Sequence, residues 1–291
     1  MDFTVKTYKQ LLYQLIEAGY RFQTFSEFLE SSAEKVIILR HDVDDKKLNS
    51  LHFAEIQNKA GVKGSYYFRM VHQSFDEAVI RKIADLGHEI GYHYEDMDLV
   101  SSKFGVRSSK LEEEDLYDEA LLCFKDNLEK LRTLYPVKTI CMHGSPRSRF
   151  DNKAVWKKYN YRDYGIIGEP YFDVNFNEVF YLTDTGRRWD GDKVSIRDKV
   201  NSSKYEVQSS ESGNYGKPSV ISNQQPATAK SNLRFHSTAE IIKAASLKNL
   251  PDKIMFTFHP QRWTDSPIPW VKELFFQNLK NQIKKYYIKQ S

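Results

Sequence analysis

Residues 36–45 read VIILRHDVDD, and this string constrains the fold more than any other. Four consecutive apolar residues describe a strand buried on both faces, the pattern of a parallel sheet. Charge follows at once in Arg40, His41, Asp42, Asp44 and Asp45. A buried strand that runs into alternating acids sets Asp42 and Asp44 near one another at its carboxyl edge, where α/β proteins bind ligands. Buried carboxylates are costly without a cation, so the pair points to a metal or a substrate proton. An Asp-rich turn without chemistry is the plain alternative.

The rest of the chain supplies the alternation such a sheet needs. Tyr8, Leu11, Leu12, Leu15 and Ile16 recur at helical spacing before Gly19. Thr24 and Glu27 form a capping-box pattern. A helix through Leu48, Leu51 and Ala54 ends at Gly61, and GSYYF (64–68) reads as a strand. Asp76 caps a helix through Val79, Ile80 and Ile83 that closes at Gly87, and residues 89–94 form the next strand. The longest helix is expected over 109–134, followed by Pro136 and a strand at 139–142. Ser237 or Thr238 caps a later helix, residues 253–258 form a strand, and a C-terminal helix follows Pro267 and Pro269. Between them, residues 201–232 are rich in Ser, Asn and Gln and read as a polar surface excursion. Strand–helix alternation predicts an α/β sheet or barrel.

Composition excludes more than it selects. The chain is 40% hydrophobic and 28% charged, and its net charge of +4 is too small and too dispersed for a nucleic-acid binder. Cys123 and Cys141 form no CxxC pair, which argues against a disulfide framework and for a reducing compartment. The N-terminus has no basic segment leading into an apolar run, and nowhere do 18 apolar residues follow one another. The expected location is therefore cytoplasmic. Lys280, Lys284 and Lys285 fit a solvated helix face, with contact to an anionic membrane surface as the alternative.

Three histidines join the acids at strand ends. GHEIGYHYEDMD (87–98) carries His88 and His93, whose odd separation turns them to opposite faces of a strand. His93, nearer the carboxyl end, is the better ligand, whereas His88 closes the preceding helix. TICMHGSP (139–146) and MFTFHPQRW (255–263) place His143 and His259 after apolar strands. A carboxylate with imidazoles suits a borderline divalent ion such as zinc, with an open position for water.

In these motifs the chain resembles the polysaccharide deacetylase superfamily, the NodB-homology enzymes grouped as carbohydrate esterase family 4. The likeness is closest to a divergent WbmS-like branch from bacterial surface-glycan clusters, and it spans residues 36–263. It implies one domain over 1–291, a distorted and incomplete (β/α)7 barrel. It also implies Asp42 as catalytic base, Asp44 and His93 as metal ligands, and His259 as the acid or oxyanion partner. One departure stands out: Met97 occupies the position of the usual second histidine, four residues after His93. A thioether is a poor ligand for such an ion, so His143 is expected to supply the third donor, with Glu95 and Asp96 as competitors. The arginine of the usual third motif is absent at its place, and Arg147 close by is taken as a candidate substrate contact.

The resemblance further implies substrate contacts from the loop YLTDTGRRWDGD (181–192), through Asp184, Arg188 and Trp189, and from Arg262 and Trp263. An aromatic beside Arg and Asp suits a polar or anionic glycan. The expected activity is removal of an N-acyl group, most simply acetyl, from a nucleotide-linked or lipid-linked sugar of O-antigen or capsule assembly. The expected cofactor is Zn2+, with Ni2+, Co2+ and Fe2+ as further choices. Two rivals remain: a glycosyltransferase using Asp42 and Asp44 as a D-x-D motif, and a glycan-binding relative without catalysis. Metal content and affinity for a UDP-sugar separate them.

Overall fold

The computed structural model describes residues 1–104, 113–144, 150–189 and 233–288. Arg147, the stretch 201–232 and the end of the 181–192 loop lie outside these residues. Nine α-helices and seven strands are described, besides short 3-10 turns: α1 (Val5–Glu17), β1 (Arg21–Gln23), α2 (Phe25–Glu30), β2 (Val36–Val43), α3 (Lys47–Lys59), β3 (Ser65–Phe68), α4 (Glu77–Asp85), β4 (Glu89–Tyr94), α5 (Asp96–Phe104), α6 (Glu113–Arg132), β5 (Ile140–Met142), α7 (Pro170–Asp173), β6 (Phe180–Thr183), α8 (Thr238–Ser246), β7 (Lys253–Phe258) and α9 (Pro267–Ile288).

All strand pairings are parallel, and six strands run in the order β5-β4-β3-β2-β7-β6. The sheet of this mixed α/β fold curls into a parallel half-barrel, which is compatible with a partial barrel. β2 is the hub. One edge pairs with β7 from Val36 to His41, while the other pairs first with β1 and then with β3. Every residue of β2 is buried, which explains its unbroken apolar start: with both faces covered, alternation has no polar side to report.

Local signals act as their chemistry dictates. Thr24 and Glu27 form the reciprocal capping box of α2, Asp76 accepts from the Val79 amide at the start of α4, and Ser237 caps α8. The helix ends at Gly19 and Gly87 take φ of +82° and +86°, the left-handed turn that glycine adopts without strain. The sequence does not announce β1, whose three residues of mixed exposure are too few for a period, α5, which begins among the acids that follow β4, or the four-residue α7 at Pro170–Asp173.

Strand alternation divides the residues of β2. Ile37, Leu39 and His41 face the helix layer, where they join the main core with Tyr8, Phe53, Tyr66 and Phe258. Ile38 lies on the other side, in a smaller cluster with Tyr67, Cys141 and Met255, and Arg40 and Asp42 continue that face toward the carboxyl end. Gly91 on β4 is required here, because a Cβ at this position would meet the Tyr67 ring at 2.3 Å. Among the described residues no helix is long and apolar enough to cross a membrane.

Candidate metal and catalytic centre

The strand order converts scattered sequence positions into one ring. Reading across the sheet, the carboxyl ends present His143 after β5, His93 on β4, Arg69 after β3, Asp42 and Asp44 at β2, His259 after β7 and Asp184 after β6.

Asp44 Oδ1 lies 3.4 Å from His93 Nε2 and 3.3 Å from His143 Nδ1, and the two nitrogens are 3.2 Å apart. His93 Nδ1 faces the Cys141 carbonyl at 2.9 Å. A carbonyl only accepts, so this nitrogen carries the proton and Nε2 presents its lone pair to the cluster. Asp44 Oδ1 is buried and has no hydrogen-bond partner, an arrangement that a cation satisfies. Donors about 2.0–2.1 Å from a tetrahedral ion stand about 3.3–3.4 Å apart, close to the separations found. The chemistry and spacing of these three side chains therefore fit a metal ion. Burial drives the Asp44 carboxyl upward, but the facing imidazoles of His143, His93 and His259 outweigh it and hold the group well below the ordinary range.

The competitors for the third position are engaged elsewhere. Glu95 forms a two-pronged pair with Arg69 (2.9 and 2.7 Å) and meets His143 only at its far nitrogen, 3.8 Å away. Asp96 accepts from the Tyr92 hydroxyl (2.8 and 2.9 Å) and from Asn127 Nδ2 (2.8 Å). Met97 is wholly buried in the main core. A second grouping of Asp42, His93 and Cys141 also brings donors together. It is the poorer cation site, because both Asp42 oxygens already accept from Arg40.

The Arg40 pairing adds a contact to the expected site. Arg40 Nε and Nη2 donate to the two oxygens of Asp42 at 2.8 and 2.7 Å, with the side chains 2% and 6% exposed. Residues two apart on a strand share a face, so the R-x-D spacing was the available signal. Burial opposes ionisation of Asp42, yet the guanidinium, with His93 adding to it, brings its pKa down to about 2. His41, between them, faces the other way: Nδ1 meets the Ser65 carbonyl and Nε2 meets Gln57 Nε2. Desolvation takes its pKa down to about 3, so it stays neutral. His88 is structural as well, since Nδ1 accepts from the Gly64 amide and Nε2 faces the Ala54 carbonyl.

On the opposite flank, Asp184 Oδ1 holds His259 Nδ1 at 2.5 Å, and Oδ2 accepts from the His259 amide (3.0 Å) and from Trp263 Nε1 (2.6 Å). Asp184 is fully buried. Burial favours its neutral form, but His259 and Arg262 prevail and keep the carboxyl low. His259 Nε2 is left facing the cluster, 3.8 Å from Asp44 Oδ2. Gln261 Nε2 donates to that same oxygen at 3.1 Å, a contact the sequence did not suggest.

Several expected substrate contacts need correction. Trp189 and Trp263 are 4% and 1% exposed and pack with Phe3 and Phe258, so neither is open to a sugar. Asp184 positions His259 rather than lining a mouth. Arg262 leans back on Asp184, its Nη1 3.1 Å from the backbone oxygen. Arg188 is half-buried, and Arg147 lies outside the described residues. The large aromatic count misled here because stacking platforms and cores draw on the same residues. Comparisons with known protein families, with curated proteins and with solved structures return no match.

Proposed function

We propose that this chain is a divalent-metal-dependent hydrolase of the NodB-homology type that removes an N-acyl group, most simply acetyl, from a sugar. The observation that carries the reading is the meeting of Asp44 Oδ1, His93 Nε2 and His143 Nδ1, flanked by an Asp42 held by Arg40 and a His259 held by Asp184.

Asp44, His93 and His143 hold the ion, which when bound polarises an amide carbonyl and lowers the pKa of a water. Zn2+ is the first choice for this donor set, with Ni2+, Co2+ or Fe2+ as substitutes. Asp42 takes the proton of the attacking water on a carboxylate that Arg40 keeps ionised at neutral pH. His259 Nε2 delivers a proton to the departing amine, while Asp184 fixes the ring through Nδ1. Glu95 Oε2 lies 3.8 Å from the outer nitrogen of His143, too far for a hydrogen bond, while both its oxygens pair with Arg69. The amide and one water thus yield a carboxylate and an amino sugar. The proposed substrate is a nucleotide-linked or lipid-linked saccharide of surface-polysaccharide assembly, handled in the cytoplasm.

A glycosyltransferase would need both acids of Asp42-Val43-Asp44 free for a cation and a nucleotide, and the Arg40 pairing argues against that use of Asp42. The test is metal analysis of purified protein together with amine release from N-acetylated sugars. Stoichiometric metal that disappears in His143→Ala, with amine release that disappears alongside it, is expected. Full metal in His143→Ala, or hydrolysis of a UDP-sugar without amine release, refutes the reading.

A further inference from the structure

The outer surface carries an apolar patch with no part in the chemistry above. Helix α9 attaches to the body through Trp270, whose Nε1 donates to the Asp2 carbonyl at 2.6 Å and whose own carbonyl accepts from Arg187 Nη1 at 2.9 Å. Gln277, two turns on, is buried. The other side of the helix holds Ile268, Val271, Phe275, Phe276 and Leu279, which are 81%, 59%, 66%, 45% and 46% exposed. Scattered single apolar residues on a surface need no explanation, but five along one helix face form a contiguous stripe.

Charge identifies what covers it. Within α9 the sequence has Lys272, Lys280, Lys284 and Lys285 against Glu273 alone, which is +3 of the chain's net +4. Lys272 stands inside the stripe, lining one shallow concavity with Pro267, Ile268, Val271, Phe275 and Phe276. Neither Lys272 nor Lys280 has a carboxylate within ion-pair distance among the described residues, and Glu273 is turned to Gln277 Nε2 at 2.8 Å. A second copy docked on this stripe would enclose the Lys272 ammonium without a counter-charge, an arrangement that is strongly unfavourable. A lipid surface does not, because a lysine stem lies along the apolar face while its head reaches anionic headgroups.

We propose that α9 is an interfacial helix that seats the protein on an anionic lipid surface. Ile268, Val271, Phe275 and Leu279 enter the boundary between headgroups and acyl chains, and Lys272 and Lys280 meet lipid phosphates. The helix lies in the plane of the surface, consistent with its being too polar to span. The proposal is independent of the metal centre.

The test is flotation of the full chain with vesicles of phosphatidylcholine, with and without phosphatidylglycerol, at low and at physiological salt. Capture by the anionic vesicles alone, weakened by salt, is expected. Each lysine near such a surface is worth about fivefold in affinity, so Lys272→Gln with Lys280→Gln weakens capture roughly twenty-five-fold. Phe275→Ser weakens it at least about tenfold. Lys59→Gln with Lys125→Gln, which removes the same charge from other exposed helices, leaves it unchanged. Absence of capture, equal capture on both vesicles, or an equal loss in the Lys59/Lys125 variant overturns the proposal. So does a dimer in light scattering that Phe275→Ser dissolves while vesicles go unbound.

Discussion

Replacing Arg40 by methionine keeps an unbranched apolar stem, two heavy atoms shorter than the arginine chain, and removes its charge and donors. The consequence follows from the partner left behind. Asp42 now accepts two charge-assisted hydrogen bonds at 2.8 and 2.7 Å in a setting where neither side chain is more than 6% exposed. Removing one member of a buried pair costs about 3–5 kcal/mol, because the other charge stays uncompensated. The pH dependence has a definite sign. In the native protein Asp42 is depressed to about 2 from 3.8, so it adds stability above pH 4 that is lost as pH falls toward 2. That contribution is about 2 kcal/mol. In Arg40→Met, burial is opposed only by His93 and His259 and raises the folded pKa above the unfolded one. Stability then falls as pH rises above about 4, and the deficit is largest at neutral pH. Denaturant titrations in chelator at pH 7 and pH 5, followed by circular dichroism, measure both effects. Arg40→Met combined with Asp42→Asn should regain about 2 kcal/mol or more relative to Arg40→Met alone. A loss below about 1 kcal/mol in Arg40→Met, or strict additivity of the two changes, would show that the pair is not the anchor described.

Asp184→Asn should leave metal content intact while lowering turnover on the order of a hundredfold or more and altering the pH–rate profile, since the amide no longer holds the His259 tautomer; an unchanged profile refutes the positioning assignment. Met97→His should not restore a ligand, because the position lies in the core; metal stoichiometry stays fixed and stability falls by about 1–3 kcal/mol, whereas a gain in metal affinity contradicts the placement. His41, depressed to about 3 from 6.5, binds a proton more readily when unfolded, so stability is lost as pH falls from about 6.5 toward 3. His41→Gln should flatten that acid slope, and a slope equal to the native one contradicts neutral burial.

Much of the scaffold was legible because its signals are local. The strands at 89–94 and 253–258 match β4 and β7 to the residue, since buried apolar runs bounded by Gly, Pro or charge have no competing reading. The positions of Asp44, His93 and His143 followed from the same strand ends. What stayed hidden depends on partners remote in sequence. Trp189 and Trp263 look identical whether they face a ligand or Phe258, and Asp184 reveals its partner only when β6 and β7 lie side by side. The pairing of Arg40 with Asp42 is legible in the sequence, because alternation within one strand fixes it.

The hub position of β2 bears on the order of folding. Strands β1 to β5 can assemble from neighbours close in sequence, but the register of β2 with β7 joins residues 36–41 to residues 253–258. β6 has β7 as its ladder partner in the sheet path, so it too waits for that strand. Contacts of such long sequence separation form late, after the entropy of closing the intervening chain has been met. His259 ends β7, and Asp184 ends β6. On a nascent chain the Asp44–His93–His143 side can therefore form well before the Asp184–His259 side. Insertion of the penultimate element is the event that makes the centre complete.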